Sequence, residues 1–203
     1  MKKIFVIMGK SATGKDTLYK EILKKKELGL RPVIPYTTRP IREGEQEGVE
    51  YHFVDSATYE ALKAEGKVIE SRDYHTVHGI WSYFTVEDSQ FQGEENLLLI
   101  NTLEGYQQMV KYFGKEKVVP LYIELEDGMR LARALKREQS QKEPKYQELC
   151  RRFLADSEDF SEDKLQILGI EKRYENRNMR HCLKALLATI SACIGQNSSD
   201  LSV

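Results

Sequence analysis

The chain has 203 residues, of which 40% are hydrophobic and 31% are charged, a composition typical of an ordinary globular domain. Basic and acidic side chains nearly balance, and the formal net charge is −1 at pH 7. No overall basic field is therefore available to attract nucleic acid or an anionic membrane, and we expect neither as a partner. The longest apolar runs have the length of strands, far below the roughly 20 residues of a membrane-spanning helix.

Two further features bear on the cellular compartment. The charged and apolar start, residues 1–8, is too short for a signal peptide and continues directly into a glycine-rich loop, which cleavage would destroy. The three cysteines, Cys150, Cys182 and Cys193, are too widely spaced to indicate a disulfide framework or a zinc site. We therefore expect a cytoplasmic protein.

Strand and helix patterns alternate along the chain. Apolar runs predict strands at 4–8, 33–36, 51–54, 68–70, 97–100, 118–123 and 165–170. Amphipathic segments predict helices at 17–26, 57–65 and 103–113, a helix capped by Asp127, and a last helix that stops at Gly195. This alternation predicts an α/β fold, in which a parallel sheet is covered by helices on both faces.

The stretch from about 37 to 90 has a different pattern, with short strands whose faces are polar. It predicts a small mixed sheet inserted into the α/β core. We expect a single domain over 1–196, with its core at 1–34 and 91–196, the insertion at 35–90, and a flexible tail at 197–203. The segment 137–145 lacks apolar residues and lies between two predicted helices. It is either a solvated loop or part of a mobile lid over about 133–158 that closes over a nucleotide, and we expect the lid.

A glycine-rich segment, residues 9–17 (called the phosphate loop below), directly follows the first apolar run and precedes a predicted helix. This order lets backbone N–H groups and a helix N-terminus surround a phosphate chain. We expect Lys15 to reach the β- and γ-phosphates of a nucleoside triphosphate. The predicted nucleotide-binding residues of the loop are Gly9, Lys10, Ser11, Ala12, Thr13, Gly14, Lys15, Asp16 and Thr17.

One position of the phosphate loop is unusual. The residue after Gly14 and Lys15 is normally a Ser or Thr whose hydroxyl binds Mg²⁺, whereas here it is Asp16, followed by Thr17. A carboxylate so close to the phosphates is repelled unless Mg²⁺ lies between them, so Asp16 and Thr17 are candidate Mg²⁺ ligands. The alternative is that Asp16 only caps the helix.

A second polar cluster follows about twenty residues later. Guanidinium forks and a phenol hydroxyl are well suited to hold the dianion of a monophosphate. Two phosphate sites in one chain indicate phosphoryl transfer, in which the protein mainly positions its substrates and neutralises charge. The residues of this second cluster are Thr37, Thr38, Arg39, Arg42 and Tyr51.

The residues from Thr37 to Val54, with the pattern TTRPxRxGExxGxxYxFV, closely resemble the guanylate kinase family. The resemblance covers roughly residues 3 to 190. It implies ATP and GMP as substrates, Mg²⁺ as cofactor, and a role for Arg39, Arg42 and Tyr51 in holding the GMP phosphate. It also implies that Glu70 reads the guanine base, and it makes the insertion at 35–90 the GMP-binding region.

The resemblance extends to the predicted lid. Arg133 and Arg137 are four residues apart on one helix face, and Arg152 begins the next helix. They match the three lid arginines of the family, and we expect them to be catalytic together with Lys15. A solvated helix face is the alternative interpretation. Asn176 is a candidate contact for the adenine of ATP.

Several positions depart from the family pattern. Pro35 replaces a serine, and Ile80 replaces a hydroxyl residue after Gly79. His78 retains the capacity to bind phosphate. An acidic group that in the family helps with metal and guanine is missing from the segment 100–105, and Asn101 or Thr102 must take over its role if any residue does.

Two alternative functions remain open at this point. The sequence of Gly14, Lys15 and Asp16 also resembles the ribose bisphosphate kinases, which are related small-molecule kinases with another phosphorylated acceptor. A non-catalytic guanylate-kinase-like binding module is the second alternative, although such modules lose the glycine loop and its lysine. The sequence is compatible with a monomer or a homodimer.

Overall fold

Five parallel strands form the central sheet, in the order β2-β7-β1-β8-β9. The structure is a computed structural model that describes residues 1–42, 44–76 and 79–195. His78 and the tail at 197–203 therefore lie outside the described residues. The strands are β1 (Ile4–Met8), β2 (Leu30–Pro32), β3 (Tyr36–Thr37), β4 (His52–Phe53), β5 (Val68–Thr76), β6 (Gly79–Val86), β7 (Asn96–Ile100), β8 (Val118–Glu124) and β9 (Arg173–Glu175).

The described helices cover the sheet and link its strands. They are α1 (Lys15–Leu23), α2 (Ser56–Ala64), α3 (Leu103–Phe113), α4 (Asp127–Gln139), α5 (Tyr146–Asp159), α6 (Glu162–Ile167) and α7 (Met179–Ile194). Two single 3₁₀ turns, Lys26–Leu28 and Ser89–Phe91, complete the regular structure of these ranges. No helix in the described ranges is both long and apolar enough to cross a membrane.

Strand β1 is the centre of the sheet, and both of its faces are buried. Val6 packs in the core that contains Tyr106 and Met109 of α3. Ile7 points to the opposite face, in the core that contains Leu18 of α1 and Leu186 of α7. A continuous apolar run is what a strand buried on both faces requires. The predicted α/β fold, a parallel sheet with helices on both faces, is confirmed.

The parallel register places three loops side by side. Ile7 pairs with Ile100 of β7 and with Leu121 of β8. The loops that follow β1, β7 and β8 therefore leave the same edge of the sheet. In open α/β sheets, ligands bind at this edge, beyond the carboxyl ends of the strands.

A second sheet has the strand order β4-β3-β6-β5 and is mixed, as predicted, because β3 pairs with β4 in parallel and with β6 in antiparallel fashion. One face carries Phe84, which stacks on Tyr36 and contacts Tyr59 of α2. The opposite face carries Glu70 and Thr85, which are paired across the β5–β6 hairpin. The domain boundaries assigned from the sequence stay a prediction.

Four details of the predicted elements are wrong. Helix α5 begins at Tyr146, so Arg152 lies within this helix and does not begin it. The run at 165–170 is helical up to Ile167, in α6, where Leu165 is buried and Ile167 is 79% exposed. Of the run at 33–36 only Tyr36 belongs to a strand, β3, and residues 33–35 connect β2 to β3. Helix α4 does begin at Asp127, but its N-cap is Glu126, whose carboxylate accepts hydrogen bonds from the backbone N–H groups of Gly128 and Met129.

A buried arginine fastens helices α4 and α5 to the loop after β1. Arg130 is 1% exposed, and its Nη1 donates to the carbonyl oxygen of Ser11 at 3.0 Å and to Oδ2 of Asp156 at 3.3 Å. Its Nε donates to Oδ1 of Asp127 at 2.9 Å. The guanidinium also lies 4.6 Å from the ring centroid of Phe153. The same Asp156 oxygen accepts the N–H of Ser11 at 2.7 Å, which closes the network.

Replacing Asp156 by alanine is expected to lower the free energy of unfolding by about 1–3 kcal/mol, because buried Arg130 loses a charged hydrogen-bond partner. Equilibrium urea unfolding measures this change. Glu158→Ala, at an exposed position of the same helix, is the matched control and is expected to change stability by less than about 0.5 kcal/mol. Equal effects of the two substitutions would contradict the role assigned to Asp156.

Candidate active site

The backbone of the phosphate loop requires glycine at two positions. Gly9 has φ 154°, and a Cβ there would lie 2.4 Å from the carbonyl oxygen of Ile123. Gly14 has φ 87°, and a Cβ there would lie 2.6 Å from Nδ2 of Asn176. Ala12 also adopts a positive φ of 64°, a conformation that non-glycine residues adopt only where their surroundings hold it. The predicted loop residues therefore form a tightly coiled turn that leads into α1.

The carbonyl oxygens of this loop are bound by donors of the protein itself. Thr13 Oγ1 donates to the carbonyl oxygen of Lys10 at 2.9 Å. Arg130 donates to that of Ser11, as described above, and Asn176 Nδ2 donates to that of Thr13 at 2.7 Å. The first backbone N–H groups of α1 have no partner within the helix. The loop thus turns these acceptors toward the protein. It leaves the first N–H groups of α1 for an anion, whereas the N–H of Ser11 is occupied by Asp156.

Lys15, Asp16 and Thr17 form the first turn of α1. Nζ of Lys15 lies 3.9 Å from Oδ2 of Asp16, and the two side chains are 20% and 73% exposed. The helix is capped by Gly14 without a side-chain hydrogen bond, so the alternative in which Asp16 is only the helix cap is wrong. Thr17 is also exposed.

Arg133 and Asn176 lie against the same loop. Nη2 of Arg133 donates to the carbonyl oxygen of Asn176 at 3.0 Å. Asn176 is 3% exposed, and its Oδ1 is buried and finds no hydrogen-bond partner among the residues that the structure describes. Its amide nitrogen braces Thr13, a role that the sequence did not indicate. The expected contact between Asn176 and adenine stays a prediction.

The other two predicted lid arginines share a cleft with the phosphate loop. Arg137 of α4 and Arg152 of α5 line this cleft together with Ser11. Nε of Arg152 donates to Oε1 of Glu148 at 2.8 Å. Hydrogen bonds from Arg151 and then Arg152 lower the pKa of Glu148 to about 2, so its carboxylate is ionised at neutral pH. The mobility of the lid stays a prediction.

Arg39, which the sequence analysis predicted to hold the acceptor phosphate, is 3% exposed and has a fixed side chain. Its Nη1 and Nη2 donate to the two carboxylate oxygens of Glu45, each at 2.9 Å. Its Nε donates to the hydroxyl of Tyr83 at 3.0 Å. The hydrogen bonds from Arg39 lower the pKa of Glu45. A lowered carboxyl pKa stabilises the folded state above the pKa of the unfolded chain, and this contribution is lost as the pH falls through the folded value.

Arg42 and Tyr51 lie around the same fork. Arg42 is exposed, and its backbone N–H donates to Oε2 of Glu45 at 2.8 Å. The Tyr51 ring centroid lies 5.4 Å from the Arg39 guanidinium carbon and 5.6 Å from the Tyr83 ring. Burial raises the pKa of Tyr51 above its usual value, so its hydroxyl remains a donor. The structure therefore brings together the arginines and tyrosine of the second cluster.

The two threonines of that cluster have a structural role. Oγ1 of Thr37, which is fully buried, donates to the carbonyl oxygen of Ser82 at 2.9 Å. Oγ1 of Thr38 accepts the N–H of Ser82 at 2.9 Å. Both hydroxyls thereby fasten the loop that carries Arg39 to strand β6.

Glu70 and Thr102 lie on either side of an arginine that the sequence analysis missed. Glu70 has a fully buried side chain that accepts from Oγ1 of Thr85 at 2.6 Å and from Nε of Arg72 at 3.2 Å. Nη1 of Arg72 lies 3.5 Å from Oγ1 of Thr102. That oxygen also caps α3 by accepting the N–H of Gly105 at 3.1 Å. The sequence did contain a sign of this contact, because residues two apart on a strand, such as Glu70 and Arg72, lie on the same face of the sheet.

Comparison with known proteins gives a consistent result. The sequence model of the family described as guanylate kinase matches residues 1–165. A guanylate kinase of Cupriavidus metallidurans is 32% identical over 158 residues, which are 78% of this chain and 70% of that protein. One from Neisseria gonorrhoeae is 46% identical over 70 residues, or 34% of each chain.

The fold comparison agrees. The crystal structure of guanylate kinase from Anaplasma phagocytophilum superimposes with a TM-score of 0.66, covering 94% of this chain and 85% of that one. At 18% identity this likeness bears on the fold alone. The matched family model and the relative from C. metallidurans decide the assignment, and the chain belongs to the guanylate kinase family.

Proposed function

We propose that this chain is a transferase that phosphorylates GMP with ATP, as a guanylate kinase. The observation that carries the proposal is the presence of two anion sites in a member of that family: the phosphate loop, and the fork of Arg39 with Arg42 and Tyr51 beside it. Phosphoryl transfer requires a donor site and an acceptor site of this kind. A cytoplasmic location and a monomeric or homodimeric state remain predictions from the sequence.

On the donor side, the protein supplies positive charge and fixed N–H groups. Lys15 and the first turn of α1 would hold the β- and γ-phosphates of ATP. Arg137 and Arg152, which line the cleft beside Ser11, and Arg133, which contacts Asn176, would neutralise the negative charge that spreads over the transferring group. These arginines act by electrostatic stabilisation and form no covalent bond with the substrate.

On the acceptor side, the protein holds a dianion and a base. Arg42 is exposed and would bind the phosphate of GMP. Arg39 is held by Glu45 and, among the described residues, keeps one Nη2 hydrogen without an acceptor. The Tyr51 hydroxyl would donate to the same phosphate. Glu70 and Thr102, on either side of Arg72, would contribute to the base site. His78 remains a sequence-based candidate for this site.

Mg²⁺ fits the oxygen donors near the donor phosphates. Within the described ranges, no cluster of three His, Cys, Asp or Glu side chains is arranged to hold a metal. Asp16 and Thr17 offer a carboxylate and a hydroxyl, the hard oxygen ligands that Mg²⁺ prefers, and the ion usually keeps water and substrate phosphate oxygens as its other ligands. When bound, Mg²⁺ neutralises charge on the β- and γ-phosphates.

Both alternative functions are less well supported. The matched family and the relatives from C. metallidurans and N. gonorrhoeae carry the guanylate kinase name, which favours GMP over a ribose bisphosphate acceptor. The loop retains Lys15 and glycines at both positions where a side chain would collide with the protein. This is evidence for an enzyme and against a non-catalytic binding module.

Lys15→Ala is expected to reduce kcat by at least about a hundredfold, because the lysine stabilises charge in the transition state. A coupled assay of ADP formation measures the rate. Lys20→Ala, at an exposed position of the same helix, is the matched control and should retain wild-type kcat. Comparable rates for both variants would refute the assignment of the phosphate loop.

Arg42→Ala is expected to raise KM for GMP roughly tenfold to a hundredfold and to leave KM for ATP unchanged, since a charge-assisted hydrogen bond contributes about 1.5–3 kcal/mol. Arg39→Ala should raise the same KM and also lower the melting temperature, because it leaves Glu45 without its partner. Arg180→Ala, an exposed arginine of α7, serves as control. A change in KM for ATP alone would mean that the two sites are reversed.

Asp16→Ser is expected to raise the Mg²⁺ concentration needed for half-maximal activity, because it removes the acidic side chain nearest the donor phosphates. Thr102→Asp in the same protein should reverse the shift, and it preserves the cap of α3 because aspartate is a favourable N-cap residue. Calorimetric titration of Mg²⁺ into the ATP complex provides a second readout. Unchanged or tighter Mg²⁺ binding by Asp16→Ser would exclude Asp16 as a ligand.

A further inference from the structure

Arg72 and Arg39, the arginine of the proposed acceptor phosphate site, are both neighbours of Tyr83. Its partner across the β5–β6 hairpin is Tyr83, whose hydroxyl accepts the hydrogen bond from Nε of Arg39 at 3.0 Å. Directly paired residues of antiparallel strands have Cα atoms roughly 4.5–5.5 Å apart. The distance from Arg39 to Arg72 is therefore no longer than a nucleotide, so a nucleotide whose phosphate is bound at Arg39 can reach Arg72 with its base.

Arg72 retains most of its hydrogen-bond donors for a ligand. Its Nε donates to Glu70, and its Nη1 makes only a long contact with Thr102. A guanidinium carries five N–H groups, so three find no acceptor in the part of the chain that the structure describes. The side chain is nevertheless only 14% exposed. Unpaired donors on a side chain whose stem is held by the protein are available to an acceptor group of a ligand.

These donors border a cavity large enough for a purine. Arg72 lines a cavity of about 390 Å³ between the second sheet and the core, near the lower end of the roughly 300–1,000 Å³ of small-molecule sites. Tyr74 and Leu168 give it apolar walls, and Thr102 places it at the end of β7, beside the phosphate loop. Glu70 does not line it, because its side chain is covered by Arg72 and Thr85.

The chemistry of guanine needs both acceptors and donors from the protein. Its N1–H and 2-amino group donate, and a carboxylate such as Glu70 can only accept. Its O6 and N7 accept, side by side on one edge, and a planar guanidinium matches this pair with two parallel N–H groups. Arg72 is the guanidinium that faces the cavity.

We propose that Arg72 is a specificity-determining residue that reads O6 and N7 of the acceptor guanine, and that Glu70 holds its guanidinium in position. This inference rests on the proposed function, GMP phosphorylation. It adds a residue that binds O6 and N7, on the base edge next to the N1–H and 2-amino group that a carboxylate reads.

The test compares kcat/KM for GMP, for 7-deaza-GMP (in which carbon replaces N7) and for IMP (which lacks the 2-amino group). The wild type is expected to prefer GMP to 7-deaza-GMP by roughly five- to a hundredfold. Arg72→Gln keeps a donor for Glu70 but loses the fork, so this ratio should fall close to one. The ratio of GMP to IMP should remain unchanged, because Arg72 does not contact the 2-amino group.

Two further variants serve as a control and as a substitute for Arg72→Gln. Lys164→Met removes another cation that lines the same cavity, and it should leave the ratio of GMP to 7-deaza-GMP at the wild-type value. If Arg72→Gln does not fold, the uncharged pair Glu70→Gln with Arg72→Met leaves no carboxylate unpaired and should show the same loss of that ratio.

The outcomes separate the two proposals. If the wild type turns over GMP but treats 7-deaza-GMP equally, or if the Arg72 variants keep the wild-type ratio, the inference about Arg72 is overturned while the proposed function stands. If calorimetry and the coupled assay detect neither binding nor turnover of GMP by the wild type, the proposed function falls, and this inference falls with it.

Discussion

The phosphate loop can bind an anion because its carbonyl oxygens are held by other donors. The C=O and N–H of a planar trans peptide point in opposite directions, so a carbonyl fixed toward the protein turns the adjacent N–H toward the ligand. Thr13 holds the carbonyl of Lys10, but Arg130 and Asn176 hold the carbonyls of Ser11 and Thr13 from far along the chain. The loop conformation therefore depends on the folded core and not on its glycines alone.

The same network links α4 and α5, the helices of the predicted lid, to the phosphate loop. Asp127 and Asp156 neutralise buried Arg130, and Asp156 also occupies the N–H of Ser11. A phosphate at this end of the loop competes with a carboxylate for that N–H. Helix α5 carries both Asp156 and the lid arginine Arg152, so any movement of this helix away from the loop has to break the contacts to Arg130 and Ser11.

The sequence predicted what depends on local order, and it missed what depends on distant contacts. The strand, loop and helix at the start are consecutive, and α3 has the predicted bounds, Leu103–Phe113, because Thr102 and Gly114 mark its ends. The run at 165–170 was wrongly predicted because a short apolar segment fits a strand or a helix turn equally well. Arg130 and Asp156 were missed, since a charged residue on a helix normally indicates a solvated face.

The ion pair of Glu70 and Arg72 changes what the base site can recognise. A fully buried carboxylate is costly unless a cation compensates it, and the neutral hydroxyl of Thr85 cannot do so. With Arg72 in place the pair is neutral, so it distinguishes an uncharged base by hydrogen-bond geometry and not by net charge. At the phosphate end, Glu45 cancels only one of the charges of Arg39 and Arg42, and the excess positive charge attracts a dianion. The charge of the proposed acceptor site is therefore complementary to that of a nucleoside monophosphate, which has a dianion at one end and a neutral base at the other.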